Sequence, residues 1–401
     1  MAAGAGMVYL TGVFAVFGFL CAVGYPVQLR SVAWPPSWHD LRQARAKYFF
    51  EKGQQALLKG NPAAALMSFA QSYELDSSDY SSGWLTAQLS VSSGMAYSNQ
   101  VYSRLINDHP KRAEATSQAW LSLALAQGDV ATVGELALKR IADHSPNTGF
   151  WLRALIFACQ RTKALAPLAG LASNAELPEP LREICRLELA VGTSDRATAQ
   201  RLLNEKLSRP DLIREPLLSF RIERLLKLDD PDDALVQLEA FGRFISPADK
   251  AMLALETSRQ LGWKGYVRGG VEQILSHRAS VADVELLCVF LIRHPDRELV
   301  SRVAAALEKE PLKSKDENWA AHEALLLATG AAGDCAQMRR IGAKLETIAG
   351  TPLPRLGLVE TYFQRDFRRS PLQQCLPVLI SVPTEVVYAT YGFFDARRGM
   401  N

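Results

Sequence analysis

The sequence lacks every familiar catalytic signature. It has no phosphate-binding glycine loop, no Rossmann glycine pattern, no His-Glu-x-x-His and no Gly-x-Ser-x-Gly, so nucleotide, zinc-hydrolase and nucleophile-elbow chemistry all lose their usual scaffold. It also lacks any Cys-x-x-Cys pair. The six cysteines (Cys21, Cys159, Cys185, Cys288, Cys335, Cys375) are scattered, mostly inside apolar runs, where a free thiol serves as a small hydrophobe. That pattern neither demands nor excludes an oxidising compartment. Excess charge is missing too. With 45 Lys+Arg against 42 Asp+Glu the net charge is +3, far from the clustered positive field of a nucleic-acid binder. The six histidines are far apart, and His109 and His144 fall near the ends of expected helices, where a cation opposes the dipole. Asp229-Asp230 and Asp232-Asp233 precede the periodic run ALVQLEAF and read as helix caps. These absences predict no catalytic residue, metal, cofactor, nucleic acid or small-molecule substrate, and hence a protein that is not an enzyme.

Charged side chains are also absent from Met1 to Leu29. Met7 to Val27 is a 21-residue, mostly apolar stretch, long enough for a helix to span hydrocarbon, which takes about 20 residues. A cleaved signal peptide is the competing reading, but a positive leading region and a clear small-x-small cleavage site are missing. Residues 1–29 are therefore expected to be a retained anchor. Residues 30–44 are expected to be a linker, with Trp34 and Trp38 at an interfacial aromatic belt or packed on the first helix pair. Arg30, Arg42 and Arg45 come after the span, which favours a cytoplasmic body on a single-pass plasma (inner) membrane protein, although long domains translocate largely regardless of charge.

Arg45 to Asp79 reads as one antiparallel helix pair. Tyr48, Phe49 and Ala56 share a stripe, and Gly53 sits where a second helix must come close, expected opposite Ala65. Gly60-Asn61-Pro62 turns the chain. Ala65, Phe69 and Ser72, at i, i+4 and i+7, give the returning helix a narrow packing face. Phe49, Gly53, the Gly-Asn turn, Ala65, Phe69 and the Leu75-Asp76 ending resemble the tetratricopeptide repeat family, with Ser77 where that family usually has proline. The resemblance implies a protein-binding scaffold.

The spacing supports an array. Gly60, Gly94 and Gly128 recur every 34 residues, the tetratricopeptide period, and a fourth step reaches Thr162. Later turns are expected at Ser194-Asp195, Asp229-Asp230-Pro231, Gly262, Pro295-Asp296, Gly333-Asp334 and Arg365-Asp366. Seven residues before each turn stand Gly53, Ala87, Leu121, Leu155, Leu187, Ile222, Leu255, Cys288, Leu326 and Leu358, all fit for burial. Pro167 and Pro216 require helices to begin near them. The expected fold is all-α: a right-handed superhelical solenoid of about ten hairpins over residues 45–376, after one transmembrane helix. Residues 377–401, with Tyr388, Tyr391, Phe393 and Phe394, form either a capping segment over the last open core or an exposed docking segment.

In the tetratricopeptide family the fifth and ninth residues of each repeat point into the groove. The resemblance places Phe50, Gln54, Trp84, Gln88, Gln118 and Ser122 there. They are aromatic or uncharged, so capture of an extended or helical protein segment through apolar anchors and amides is expected; the alternative is that Phe50 and Trp84 are core residues. The functional expectation is a membrane-tethered protein-protein interaction scaffold of the assembly or envelope-biogenesis type. The alternative is an accessory subunit of a larger membrane complex.

Overall fold

The computed structural model describes residues 2–33, 38–91, 94–207, 209, 212–276, 280–354, 356–364 and 382–399, and among them there is no β-strand. Trp34, Cys375 and the expected turn at Arg365-Asp366 lie outside the described residues. The chain divides into two compact units, 1–120 and 121–401.

The first unit opens with α1 (Ala2–Val23) and the short α2 (Leu29–Ala33). The expected membrane span over Met7–Val27 is corrected here: among the described residues no helix is long and apolar enough to cross a membrane. The helix stops at Val23 because the Gly24 and Tyr25 amides fold back onto the Cys21 and Leu20 carbonyls, both at 3.0 Å, a reversal that closes a helix end. The next ring then leaves the stretch altogether, since Tyr25 packs on Tyr48 at 4.6 Å. Val8, Phe14 and Phe19 remain exposed on α1, whereas Val13 is buried.

Two helix pairs come next, α3 (Trp38–Leu58) with α4 (Pro62–Leu75) and α5 (Tyr80–Ser90) with α6 (Met95–Asp108). Helix α3 begins within the expected linker. Ala65, Phe69 and Ser72 are buried along α4, as their spacing requires. Gly53 is indeed a close approach, but its neighbour is Phe69, not Ala65: a Cβ added at Gly53 would stand 2.7 Å from the Phe69 ring. Ser72 Oγ donates to the Ala46 carbonyl at 2.8 Å, tying the two helices without an unpaired buried hydroxyl.

The unit boundary falls inside α7 (Ala113–Gln127), which is followed by α8 (Val130–Ala142). The second unit continues in pairs: α9 (Thr148–Thr162) with α10 (Ala166–Ser173), α11 (Glu179–Thr193) with α12 (Arg196–Asn204), and α13 (Glu215–Lys227) with α14 (Pro231–Phe241). Beyond these are α15 (Pro247–Gln260) with α16 (Lys264–Ser276), α17 (Val281–Arg293) with α18 (Arg297–Lys309), and α19 (Lys315–Ala331) with α20 (Cys335–Ala349). The described chain ends in α21 (Leu356–Gln364) and α22 (Thr384–Gly399). Pro167 and Pro216 each fall in the first turn of their helices, where no intrahelical amide bond is lost.

The turns explain the fading of the repeat signature. At Gly60 and Gly128 the backbone enters the left-handed region, with φ of 69° and 71°, which glycine adopts at no steric cost. At the fourth and sixth turns Lys163 and Asp229 hold φ of 56° and 55° instead, so the conformation persists after its glycine has gone. The chain compensates with caps. Asn61, Asp129, Asp195, Asp230, Asp296 and Asp334 each accept an amide hydrogen bond at the start of a second helix, fixing its entry angle and satisfying otherwise orphaned donors.

Nine of the ten residues seven before the turns are buried; Leu358 is half exposed and breaks the series. Cys159, Cys185 and Cys288 are free and buried, packing as small hydrophobes.

Candidate functional site

In the first unit, the expected groove residues occupy the first helix of each pair. Phe50 and Gln54 lie one turn apart on α3, Trp84 and Gln88 one turn apart on α5, and Gln118 on α7. Gln54 and Gln88 are exposed, while Phe50, Trp84 and Gln118 are half-buried. Neither ring is free of the core. Phe50 meets Phe69 at 5.4 Å, and Trp84 stands between Tyr80 at 5.9 Å and Tyr102 at 6.4 Å. Gln118 donates to Glu114 at 3.1 Å. Ser122 belongs to the second unit, where it is half-buried.

Trp84 is one member of a longer aromatic run that the register count overlooked. Tyr73, His109, Tyr80, Trp84, Tyr102 and Trp120 succeed one another at centroid distances of 5.3–6.4 Å. Arg112 lies over Tyr80 at 4.3 Å and Trp120 donates to Asn99 at 2.8 Å. Burial pushes the Tyr102 phenol up to about 12, with Tyr80 reinforcing it. Burial, and after it the hydrogen bond to Asp108, also raises that of Tyr73. The density of Tyr and Trp between residues 73 and 120 was the available signal. These rings carry polar tips on apolar bodies, a character suited to a partner surface as well as to a core.

The second unit contains a channel of about 590 Å³, walled by α9, α13, α15, α17 and α22. Its sides carry Arg161, Glu223, Lys227, Glu256 and Arg293, and α22 contributes Tyr388, Gly392 and Asp395. Successive first helices are linked by polar side chains. Gln160 donates to Glu188 at 2.6 Å, Glu188 pairs with Arg224 at 2.6 Å, Gln260 donates to the Leu226 carbonyl at 3.0 Å, and Glu256 pairs with Arg293. Lys227 opens into the channel. Desolvation by the surrounding walls, with repulsion from Arg224, lowers its pKa to about 8. His294 is lowered by desolvation as well, so it contributes no strong charge at neutral pH.

A second concavity lies between α15 and α16, floored by Gly265, Gly269 and Ala251 and edged by Tyr266. Tyr266 is 74% exposed at its rim, and Ala254, Leu255, Ile274 and Leu286 add apolar lining. Among the described residues no group of three or more His, Cys, Asp or Glu is placed to hold a metal ion. Asp230 is the cap of α14, accepting from the Asp233 amide at 3.4 Å, as its position before ALVQLEAF requires.

No family model and no curated protein matches the chain. Among solved structures it is similar to the P58(IPK) TPR domain, at 13% identity over 89% of this chain and 99% of that one, with a TM-score of 0.21. A likeness that weak carries no weight. The tetratricopeptide-like reading rests on the chain itself: the 34-residue beat, the paired helices, and the glycine-to-ring approach of Gly53 and Phe69.

Proposed function

We propose that the protein is an interaction scaffold that captures a segment of a partner protein along the first helices of the repeats in its first unit, with Phe50, Gln54, Trp84, Gln88 and Gln118 as the contact positions. The observation that carries this reading is the pairing, on both α3 and α5, of a half-buried ring with an exposed amide one turn later. A ring already held by the core loses little side-chain freedom on binding, and the amide beside it supplies a hydrogen bond without the desolvation cost of a charge.

The test uses the exposed amides, because truncating Phe50 or Trp84 would also disturb Phe69 and Tyr102. Gln54→Arg with Gln88→Arg should leave the melting profile unchanged and cut partner recovery from the native host at least tenfold in an affinity pull-down. Full recovery with both charges in place would refute the groove reading.

One observation favours a second reading. Phe14, Phe19 and Tyr266 are exposed, and large apolar side chains left in water favour a permanent partner. On this reading the chain is an accessory subunit, and purified alone it should self-associate; a monodisperse chain at high concentration counts against it.

A further inference from the structure

Helix α22 runs inside the second unit and touches both early and late elements of it. Its Tyr391 hydroxyl donates to the Leu125 carbonyl at 2.8 Å, and Asp395 forms a two-point ion pair with Arg161. Tyr388 and Tyr391 meet Phe157 at 4.5 and 5.5 Å, and on the other side Phe394 meets Tyr362 of α21 at 4.5 Å. Val386, Tyr391 and Phe394 are at most 2% exposed, and among the described residues of α22 a strip along Glu385, Gly392, Asp395 and Ala396 is open. An amphipathic helix laid against the first helices of a repeat array is the geometry of helix-in-groove recognition.

We propose that the cleft of the second unit bounded by α9, α17, α19 and α21, beside which the channel stays open, is a helix-binding site which the chain fills with its own C-terminal helix. The site takes in trans an amphipathic helix of the same chemistry: a valine and aromatic stripe and, beyond it, an acidic residue that reaches Arg161. Arg161 supplies orientation. It lies over the Tyr391 ring at 4.4 Å while holding Asp395, so a helix entering in the reverse direction forfeits the charge-assisted pair. Attachment within one chain gives α22 an effective concentration on the order of millimolar. A free helix with identical contacts must exceed that concentration to replace it, so a natural partner must fit better than α22 does. This deepens the scaffold reading, resting on it only in that the repeats bind a protein segment, and it concerns a surface separate from the α3 and α5 amides.

The test needs no natural partner, so failure here is distinct from failure of the pull-down. A specific-protease site is inserted between α21 and α22 of the full chain, which is then cut under native conditions and mixed with a fluorescein-labelled peptide of residues 382–399. The cut chain should keep its fragment on size exclusion, then exchange it for the labelled peptide, while the uncut chain binds none at micromolar peptide. Asp395→Arg in the peptide should weaken binding at least tenfold, and Arg161→Asp in the chain should restore it. The uncut chain provides a second readout: full-length Arg161→Asp, whose own Asp395 is now repelled, should bind the Asp395→Arg peptide where the wild-type chain does not. Loss of helical circular dichroism when the fragment leaves would show that α22 is core and not a bound ligand. Equal binding of both peptides, or none to either chain, would equally overturn the proposal.

Discussion

The Tyr391 hydroxyl and the Leu125 carbonyl meet at 2.8 Å although 266 positions separate them in sequence. A buried hydrogen bond of this kind contributes about 1 kcal/mol. Tyr391→Phe keeps the ring against Phe157 and removes only the donor, so it should lower stability by about that amount in urea denaturation. A loss above about 3 kcal/mol would show that the substitution had disturbed packing as well.

Gly53 poses two opposed effects. Alanine gains about 1 kcal/mol of helix propensity over glycine, but its methyl would stand 2.7 Å from the Phe69 ring, and overpacking costs about 1–3 kcal/mol. Gly53→Ala should therefore destabilise, and Gly53→Leu should do so more strongly. Hydrogen exchange should locate the loss in α3 and α4 first. A more stable Gly53→Ala protein would mean that Phe69 can rotate away freely.

Glu188 and Arg224 form an ion pair whose side chains are only 7% and 10% exposed. Arg224→Met leaves the carboxylate with Gln160 alone and should cost about 3 kcal/mol, whereas Glu188→Met with Arg224→Met should be close to neutral. Chemical denaturation of both variants decides the matter, and a double variant as unstable as the single one would show that the pair is favourable in itself.

Glu285 supplies a pH dependence. Desolvation, with the like charge of Glu385 added, raises its pKa to about 6 from the usual 4.5. The folded state thus binds the proton more tightly, so this contribution to stability grows as pH falls from about 6 toward 4.5 and vanishes above 6. Melting temperatures across that window should rise on acidification relative to Glu285→Gln, in which the difference should be flat. Parallel profiles would assign the dependence to other groups.

Sequence periodicity revealed what neighbouring helices do to one another. The turns at Gly60, Gly94 and Gly128, and the buried residues seven positions earlier, come from local packing between consecutive helices, which a 34-residue beat records. Leu358 departs from the series, being 50% exposed on α21, and the turn expected after it lies outside the described residues. Phe50 and Trp84 sat between groove and core because a half-buried ring belongs to both. The packing of α22 was hidden for a different reason. Its aromatic cluster was visible, but its partners Leu125 and Arg161 lie more than 200 residues away, and no local period encodes a contact of that range. The apolar start misled in turn: composition allowed a span to Val27, while the reversal at Gly24 sends Tyr25 onto Tyr48.

An array in which each hairpin touches only its neighbours yields piecemeal under tension, one unit lengthening at a time. In the second unit, Arg161 and Leu125 at one end are fastened through α22 to α17, α19 and Tyr362 at the other. A pull applied to its two ends would load that fastening before any single hairpin. The first event in a force-extension record should be one sharp yield at which α22 lets go, with the compliance of an ordinary repeat spring appearing only afterwards.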